Sequence, residues 1–288
     1  MTVLSSMPNK RHRRTAAEIE RLKASMLAIV AAHEELTIRH LFYLMVSQSL
    51  IEKTETEYNN VVIRLALQLR RSGDIPYGKI VDGTRLYRQP RLYDSVYEAL
   101  SETARLYRRD YWRNADERIE CWCEKEAISG FLFEVTRDLG VPLMVTRGFS
   151  SESVVQSVAE DVMADGRPLT ILFVNDLDPS GNLMPADVMR RIKFYAPEAK
   201  VRLWRVAVTP AQVEEYSLPT RPTKRDGNSH AAMFEGDSVE VDAMPPDILK
   251  ELLRSNIEGH MDPEQLRVLR EAETSERNLL LDWARYTA

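Results

Sequence analysis

The sequence predicts an α/β protein in two parts: a helical N-terminal half ending in a short strand pair, and a C-terminal half built on a mostly parallel sheet flanked by helices. Three observations lead there. Apolar residues recur at helical spacing through residues 15–71. Short apolar runs then alternate with helical stretches from Ile119 to Val208, as βαβ units require. Charge also divides between the halves: residues 1–113 carry 19 Lys and Arg against 13 Asp and Glu, a balance of +6, while the remainder carries 20 against 31, or −11. A basic half suits a phosphate backbone and an acidic half can hold a cation, although solvated faces alone also produce such imbalance.

Across its 288 residues, 44% of them hydrophobic, the chain has enough apolar material for one large core or two modest ones. It contains no uncharged apolar run of membrane-spanning length, and MTVLSSMPNKRHRR lacks the apolar stretch of a secretory signal, so a cytoplasmic, nucleoid-associated protein is expected. The two cysteines, Cys121 and Cys123, alternate on one strand without partners elsewhere. They read as small core residues rather than a disulfide or zinc framework.

Residues 1–14 form a basic arm, either a DNA contact or a solubility tail. In a domain over 15–90, Thr15 and Glu18 have capping-box spacing and open a helix with Ile19, Leu22, Met26, Leu27 and Val30 as its buried stripe. A second helix, TIRHLFYLMVS, places Ile38, Leu41, Phe42 and Met45 on an apolar face. Arg39, Tyr43 and Ser47 then share the opposite ridge, so Tyr43 points away from the core beside an arginine. An ordinary surface tyrosine explains the same spacing. The third helix buries Tyr58, Val61, Val62, Leu65, Ala66 and Leu69 and presents Asn59, Asn60, Arg64, Gln68 and Arg71, the residue types that reach bases and phosphates from a recognition helix. Gly73 ends it, and IPYGKIVD reads as a strand pair turning at Gly78, followed by Arg85. Three helices and a wing make a winged helix.

A connecting helix is expected over 91–116, with Arg105, Arg108, Arg109 and Arg113 either lining a DNA groove or simply solvated. From 117 to 258 the order is strand IECWC, helix 125–138, strand VPLMV, helix 151–164, strand TILFVN, helix 182–194 and strand VRLWRVAV. A last helix spans about 262–285, within a C-terminal segment 259–288. In an open parallel sheet, ligands collect beyond the carboxyl ends of the strands. Glu124 follows the first strand, and Asp176 and Asp178 follow the third, so three acids can share a hard cation, a Mg²⁺ site in outline. Asp-x-Asp-Pro-x-Gly also reads as a plain turn, with Asp as a cap, Pro179 fixing φ and Gly181 allowing the bend. Lys125 and Arg147 lie just past strand ends, where cations would meet a phosphate. Lys224 and His230 sit in a polar loop, and Glu240 and Asp242 either extend the acidic site or cap a helix.

The strand-end Glu and later Asp-x-Asp resemble the signature of a Toprim domain. Glu-Lys-Glu-Ala and Asp-x-Asp-Pro-x-Gly are similar to the form found in the topoisomerase VI A-subunit family. Thr37-x-Arg39-x-Leu41-Phe42-Tyr43 resembles that family's nucleophile segment, in which the second aromatic attacks DNA, and the order of winged helix then Toprim also matches. With GFSSES and SVEVDAMPP included, the resemblance covers roughly residues 15–258 and is nearest to the short stand-alone proteins termed topoisomerase mini-A.

The resemblance implies a Mg²⁺-dependent DNA-cleaving transesterase, with Mn²⁺ as a substitute metal. Tyr43 is its nucleophile, Arg39 and Lys125 are auxiliary cations, and Glu124, Asp176 and Asp178 hold the metal. The active form that the resemblance implies is a homodimer, and Asn59, Asn60, Arg64, Arg71, Arg85, Arg147 and Lys224 are read from residue type and position as contacts to duplex DNA. Strand passage would need a partner, such as a separate ATPase B-type subunit, or another energy source, since the chain has no G-x-x-x-x-G-K-[ST] loop. Two other readings stay open: a Toprim nuclease in which water attacks and Tyr43 is incidental, and a non-catalytic DNA-binding structural protein.

Overall fold

The computed structural model describes residues 14–81, 90–148, 151–223, 234 and 236–287. The chain divides into two units, Met1–Val81 and Asp82–Ala288. The basic arm except Arg14, and also Arg85, Lys224 and His230, lie outside the described residues.

In the first unit, α1 (Ala16–Ala32) opens on the expected capping box: Thr15 accepts from the Glu18 amide while Glu18 returns to the Thr15 amide. Its buried residues are Leu22, Met26, Ile29 and Val30. Strand β1 (Leu36–Thr37) leads into α2 (Ile38–Ser47), which has a capping box between Thr37 and His40. Next come α3 (Glu55–Glu57), a π-helical stretch Tyr58–Val62 and α4 (Ile63–Arg71). Val61, Val62, Leu65, Ala66 and Leu69 are buried as the spacing predicts. Gly73 follows in the left-handed region, φ +87°, and its N–H donates to the Arg70 carbonyl.

The strand pair expected at IPYGKIVD does not form within the described residues. Tyr77–Lys79 make a 3₁₀ turn, and β2 (Ile80–Val81) instead pairs in parallel with β1, Leu36 opposite Ile80. Pro76 lacks the N–H that a ladder needs just before the turn. Buried Ile80 finds its partner in the equally buried Leu36.

The second unit contains α5 (Val96–Leu106), β3 (Arg118–Cys123), α6 (Glu126–Asp138), β4 (Leu143–Val145), α7 (Glu152–Asp165), β5 (Leu169–Val174), α8 (Pro179–Tyr195), β6 (Val201–Ala207) and α9 (Pro210–Glu215). It closes with α10 (Pro246–Glu258) and α11 (Pro263–Arg285). The connecting helix is therefore shorter than the expected 91–116, and α11 packs along it. α8 begins three residues before the expected 182, because Asp178 caps it and Pro179 takes the first helical position, where a missing N–H costs nothing.

The sheet order is β4-β3-β5-β6, with every pair parallel. Every residue of β5 is buried, as expected of a central strand covered on both faces. On one face Trp122, Leu169, Ile171 and Phe173 join Val155, Val158 and Val162 of α7 and Met184, Val188 and Ile192 of α8. α6 and α10 pack together outside that cluster, against β3 and β6. Cys121 and Cys123 are fully buried core residues whose thiols burial pushes up, so neither presents a thiolate.

Phe173 is 1% exposed and lies 5.8 Å from Trp122, ring centre to ring centre. Phe173→Ala is expected to destabilise the fold by about 3–5 kcal/mol, read as a lower midpoint of urea denaturation. A loss under about 1 kcal/mol would contradict the central placement of β5.

Candidate active site

β3 and β5 are neighbours, and between them the chain runs out to β4 at the edge and returns across β3. This is the topological switch point of an open parallel sheet, where adjacent strand ends leave a crevice. The ladder continues past both strands: the Glu124 N–H donates to the Val174 carbonyl at 3.2 Å, and the Arg147 N–H donates to the Glu124 carbonyl at 3.1 Å. Glu124 is thus fixed between the ends of β5 and β4, with Asp176 and Asp178 just beyond the neighbouring strand.

Asp178 serves as the helix cap the turn motif anticipates, its Oδ1 accepting from the Gly181 N–H at 2.7 Å. Gly181 is required by space, since a Cβ there would sit 2.1 Å from the Asp176 carbonyl oxygen. The Gly181 carbonyl accepts from Asn175 Nδ2 and from Arg205 Nη2, each at 2.6 Å. Arg205 Nη1 also donates to the carbonyls of Asp176, 3.0 Å, and Val208, 3.2 Å. A half-buried guanidinium therefore cages the Asp-x-Asp turn through its backbone. Burial lowers the proton affinity of Arg205, against the pull of Asp178, Glu124 and Asp176.

The third acidic element comes from the segment before α10. Antiparallel bridges Leu177–Val239 and Arg221–Ser238 lay it alongside the turn. The Val241 N–H donates to Asp176 Oδ1 at 2.8 Å. Lys125 Nζ lies 2.8 Å from Asp242 Oδ2, 3.0 Å from Glu240 Oε2 and 3.2 Å from Asp176 Oδ1. Arg221 Nη1 reaches Glu240 Oε1 at 3.0 Å. Burial opposes the Lys125 charge, but Asp242, Asp176 and Glu240 outweigh it and hold the ammonium firmly protonated. Burial is also the main force raising Asp176, with Lys125 opposing it.

Glu124 behaves differently. Burial, then repulsion from Asp176 and Asp178, pushes its carboxyl up to about 7. Its buried Oε2 has no hydrogen-bond partner among the described residues, nor has Oδ1 of Asp242. Hard oxygen donors with two buried, unpartnered oxygens are chemically suited to a divalent cation. As positioned, however, no three His, Cys, Asp or Glu side chains among the described residues are spaced to hold a metal ion. The expected Glu124, Asp176 and Asp178 set does not converge: Asp178 is turned to its helix cap and Asp176 to Lys125 and the Val241 amide.

Arg147 stands at the end of β4 as expected, largely exposed, in the left-handed region at φ +50°, with Nη2 2.6 Å from Glu126 Oε1. On the connector, Arg108 pairs with Asp138 at 3.1 Å and Arg109 with Glu276, both ion pairs within the second unit. Arg113 is exposed.

In the first unit, Tyr43 does not lie on a polar ridge. It is 2% exposed, its ring edge-on to Phe42 at 5.1 Å and under Lys53 Nζ at 5.2 Å. Every residue from His40 to Met45 is buried, so α2 is enclosed all round and its spacing does not separate two faces. Arg39 sits over the Tyr58 ring, 4.9 Å from its centre, and 3.8 Å from Glu55 Oε1. Lys53, in the loop after α2, is the cation that meets Tyr43, and no helical period could have indicated it. Asn59, Asn60, Arg64 and Arg71 are exposed as expected, with Asn59 Nδ2 donating to the Glu55 carbonyl.

Compared with known proteins, the chain matches no protein-family model and no curated protein.

Two outcomes follow from this geometry. Gly181→Ala forces backbone apart at the turn and should cost about 1–3 kcal/mol, seen as a lower Tm. Glu124, raised from 4.5 to about 7 in the folded state, binds more protons folded than unfolded as pH rises through that window, so its ionisation destabilises the fold. In chelator-treated protein, Glu124→Gln should melt above the native chain at about pH 8, the gap closing as pH falls toward the unfolded value. Identical melting at both ends of the range would contradict the burial assigned to Glu124.

Proposed function

We propose that the protein cleaves duplex DNA at its acidic strand ends, as a winged-helix and Toprim protein resembling the topoisomerase VI A subunit, with Tyr43 as nucleophile. The observation that carries the reading is the delivery of Glu124 and the Asp176–Asp178 pair beyond the ends of adjacent parallel strands, at the switch point of the sheet. The exposed Asn59, Asn60, Arg64 and Arg71 ridge of the first unit supplies contacts of the kind that hold phosphates and base edges. Arg85, Arg147 and Lys224 are assigned further DNA contacts.

Tyr43 Oη attacks a backbone phosphorus, and the P–O3′ bond breaks as the O–P bond forms. The phenolic proton leaves as the 3′ hydroxyl is released, and the 5′ end stays on the tyrosine. Arg39 and Lys125 supply positive charge. When bound, Mg²⁺, or Mn²⁺ in its place, neutralises charge developing on the phosphate. By the same resemblance the active form is a homodimer that cuts both strands, and strand passage needs an ATPase B-type partner or another energy source. Among the described residues no helix is long and apolar enough to cross a membrane. Association with the nucleoid accords with a DNA substrate.

The burial of Tyr43 favours a second reading, hydrolysis by water at the same acids, with Tyr43 serving the packing of α2. Supercoiled plasmid incubated with Mg²⁺, quenched in denaturant and resolved with and without protease separates the two. Under the first reading the broken ends carry protein, and Tyr43→Phe and Asp176→Ala each reduce cleavage by about 100-fold or more. Free ends that survive Tyr43→Phe but not Asp176→Ala establish hydrolysis. Cleavage unaffected by Asp176→Ala overturns both.

A further inference from the structure

The last helix, α11, carries two stripes at helical spacing, and one of them faces water. The first holds Leu266, Glu273 and Ala284, all buried. Tyr107, just past α5, meets Glu276 and Arg277, while Arg109, two residues on, meets Glu273. The two helices therefore run antiparallel, with Ala104 of α5 buried. The second stripe of α11 is Val268, Ala272, Ser275, Leu279, Trp283 and Tyr286, at steps of 4, 3, 4, 4 and 3. That is the spacing of a helix face that packs on another helix.

Val96, Ala99, Thr103 and Leu106 repeat the pattern on α5, at steps of 3, 4 and 3. At about 100° per residue, each stripe sits roughly a third of a turn from the line along which its helix meets the other. The offset has the same rotational sense along each chain direction. Because the helices run in opposite directions, both stripes come to the same side of the pair. Their six large apolar side chains are each at least 48% exposed. Together the stripes leave on the order of 800 Å² open to water, more than a monomer's surface patch usually shows and close to one partner's share of a standard interface.

What covers this face must match about 27 Å of helix. Among the described residues the first unit exposes only Ile63, Leu67 and Tyr77 as large apolar side chains, on one turn of α4 and the 3₁₀ turn beyond it. A second copy supplies a stripe of the same length. Its charges agree as well, since the row beside the α11 stripe holds Glu264 and Arg267 near its start and Asp282 and Arg285 near its end. Laid antiparallel, two copies of α11 bring Glu264 opposite Arg285 and Arg267 opposite Asp282, with Ser275 near the centre.

We propose that α5 and α11 dock on the same two helices of a second copy across a two-fold axis, α11 against α11, as an antiparallel four-helix bundle. The inference rests on the homodimer of the proposed function and gives it a contact face, but needs neither metal, DNA nor cleavage.

The test is light scattering behind size exclusion on the full chain at micromolar concentration, without DNA. Native protein is compared with the double variant Leu279→Glu, Trp283→Glu, and with Phe194→Glu, an exposed aromatic on α8 away from the face. Circular dichroism checks folding, which substitutions at exposed positions should leave intact. The native chain and Phe194→Glu should run at twice the chain mass, while the double variant weakens dimerisation at least about tenfold and runs as monomer. Ser275→Cys, in a chain whose own cysteines are buried, should cross-link to a dimer with a short bismaleimide.

A dimer undiminished in the double variant overturns this face and leaves the homodimer of the proposed function to another surface. A native dimer that Ser275→Cys does not cross-link overturns the pairing of α11 with α11, whether or not the double variant folds. A native chain that stays monomeric overturns the inference outright, and the cleavage reading is then judged by the plasmid assay alone.

Discussion

The parallel pairing of β3 with β5 is the constraint on which the second unit depends. Their register, from Arg118 opposite Leu169 to Cys123 opposite Val174, brings both strands to an end at the same level. Parallel strands end on the same side, so residues far apart in sequence leave the sheet together: Glu124 from one strand, Asp176 and Asp178 from the other. Crossovers through α6, α7 and α8 cover the sheet and bury β5 completely. A hydrophobic interior on this scale supplies the stability that lets polar, poorly satisfied groups gather at its rim.

What gathers there is electrostatically expensive. Ionised carboxylates removed from water need partners, and a buried ion pair seldom recovers its full desolvation cost. The cluster meets this in two ways. Lys125 and Arg221 pair directly with acid side chains, whereas Arg205 spends its donors on the backbone carbonyls of the turn that carries Asp176 and Asp178. Glu124 Oε2 has no hydrogen-bond partner among the described residues, and burial, then repulsion from Asp176 and Asp178, raises its proton affinity. Positioning the turn through its backbone leaves carboxylate oxygens available for chemistry, while Gly181 allows the tight approach behind them.

Much of the second unit was legible in the sequence because parallel strands and their helices leave strong periodic signals. The strand ends, Pro179 and Gly181 mark the turn, and the alternation of Glu240 and Asp242 marks the segment that joins it. The roles of Arg205 and Arg221 were less visible. Of the two arginines inside the apolar run VRLWRVAV, Arg202 and Arg205, it is Arg205 that forms the carbonyl cage. The first unit is harder to read where a helix is enclosed on every side. Periodicity distinguishes a buried face from an exposed one, and α2 from His40 to Met45 has no exposed face, so the spacing points Tyr43 outward whereas it packs inward beside Lys53. The wing-like strand pair failed for a different reason: Ile80 pairs with Leu36, a partner 44 positions away, and local turn signals around Gly78 carry no information about it.

Lys125 is the counter-ion shared by Asp176, Glu240 and Asp242 beyond the ends of β3 and β5, and the cluster depends on its charge. Thermal melting of Lys125→Met beside the native chain measures that dependence. Buried carboxylates left without their shared cation should lower the Tm of the variant clearly at neutral pH. Equal melting of the two chains would mean that Lys125 does not hold the cluster together.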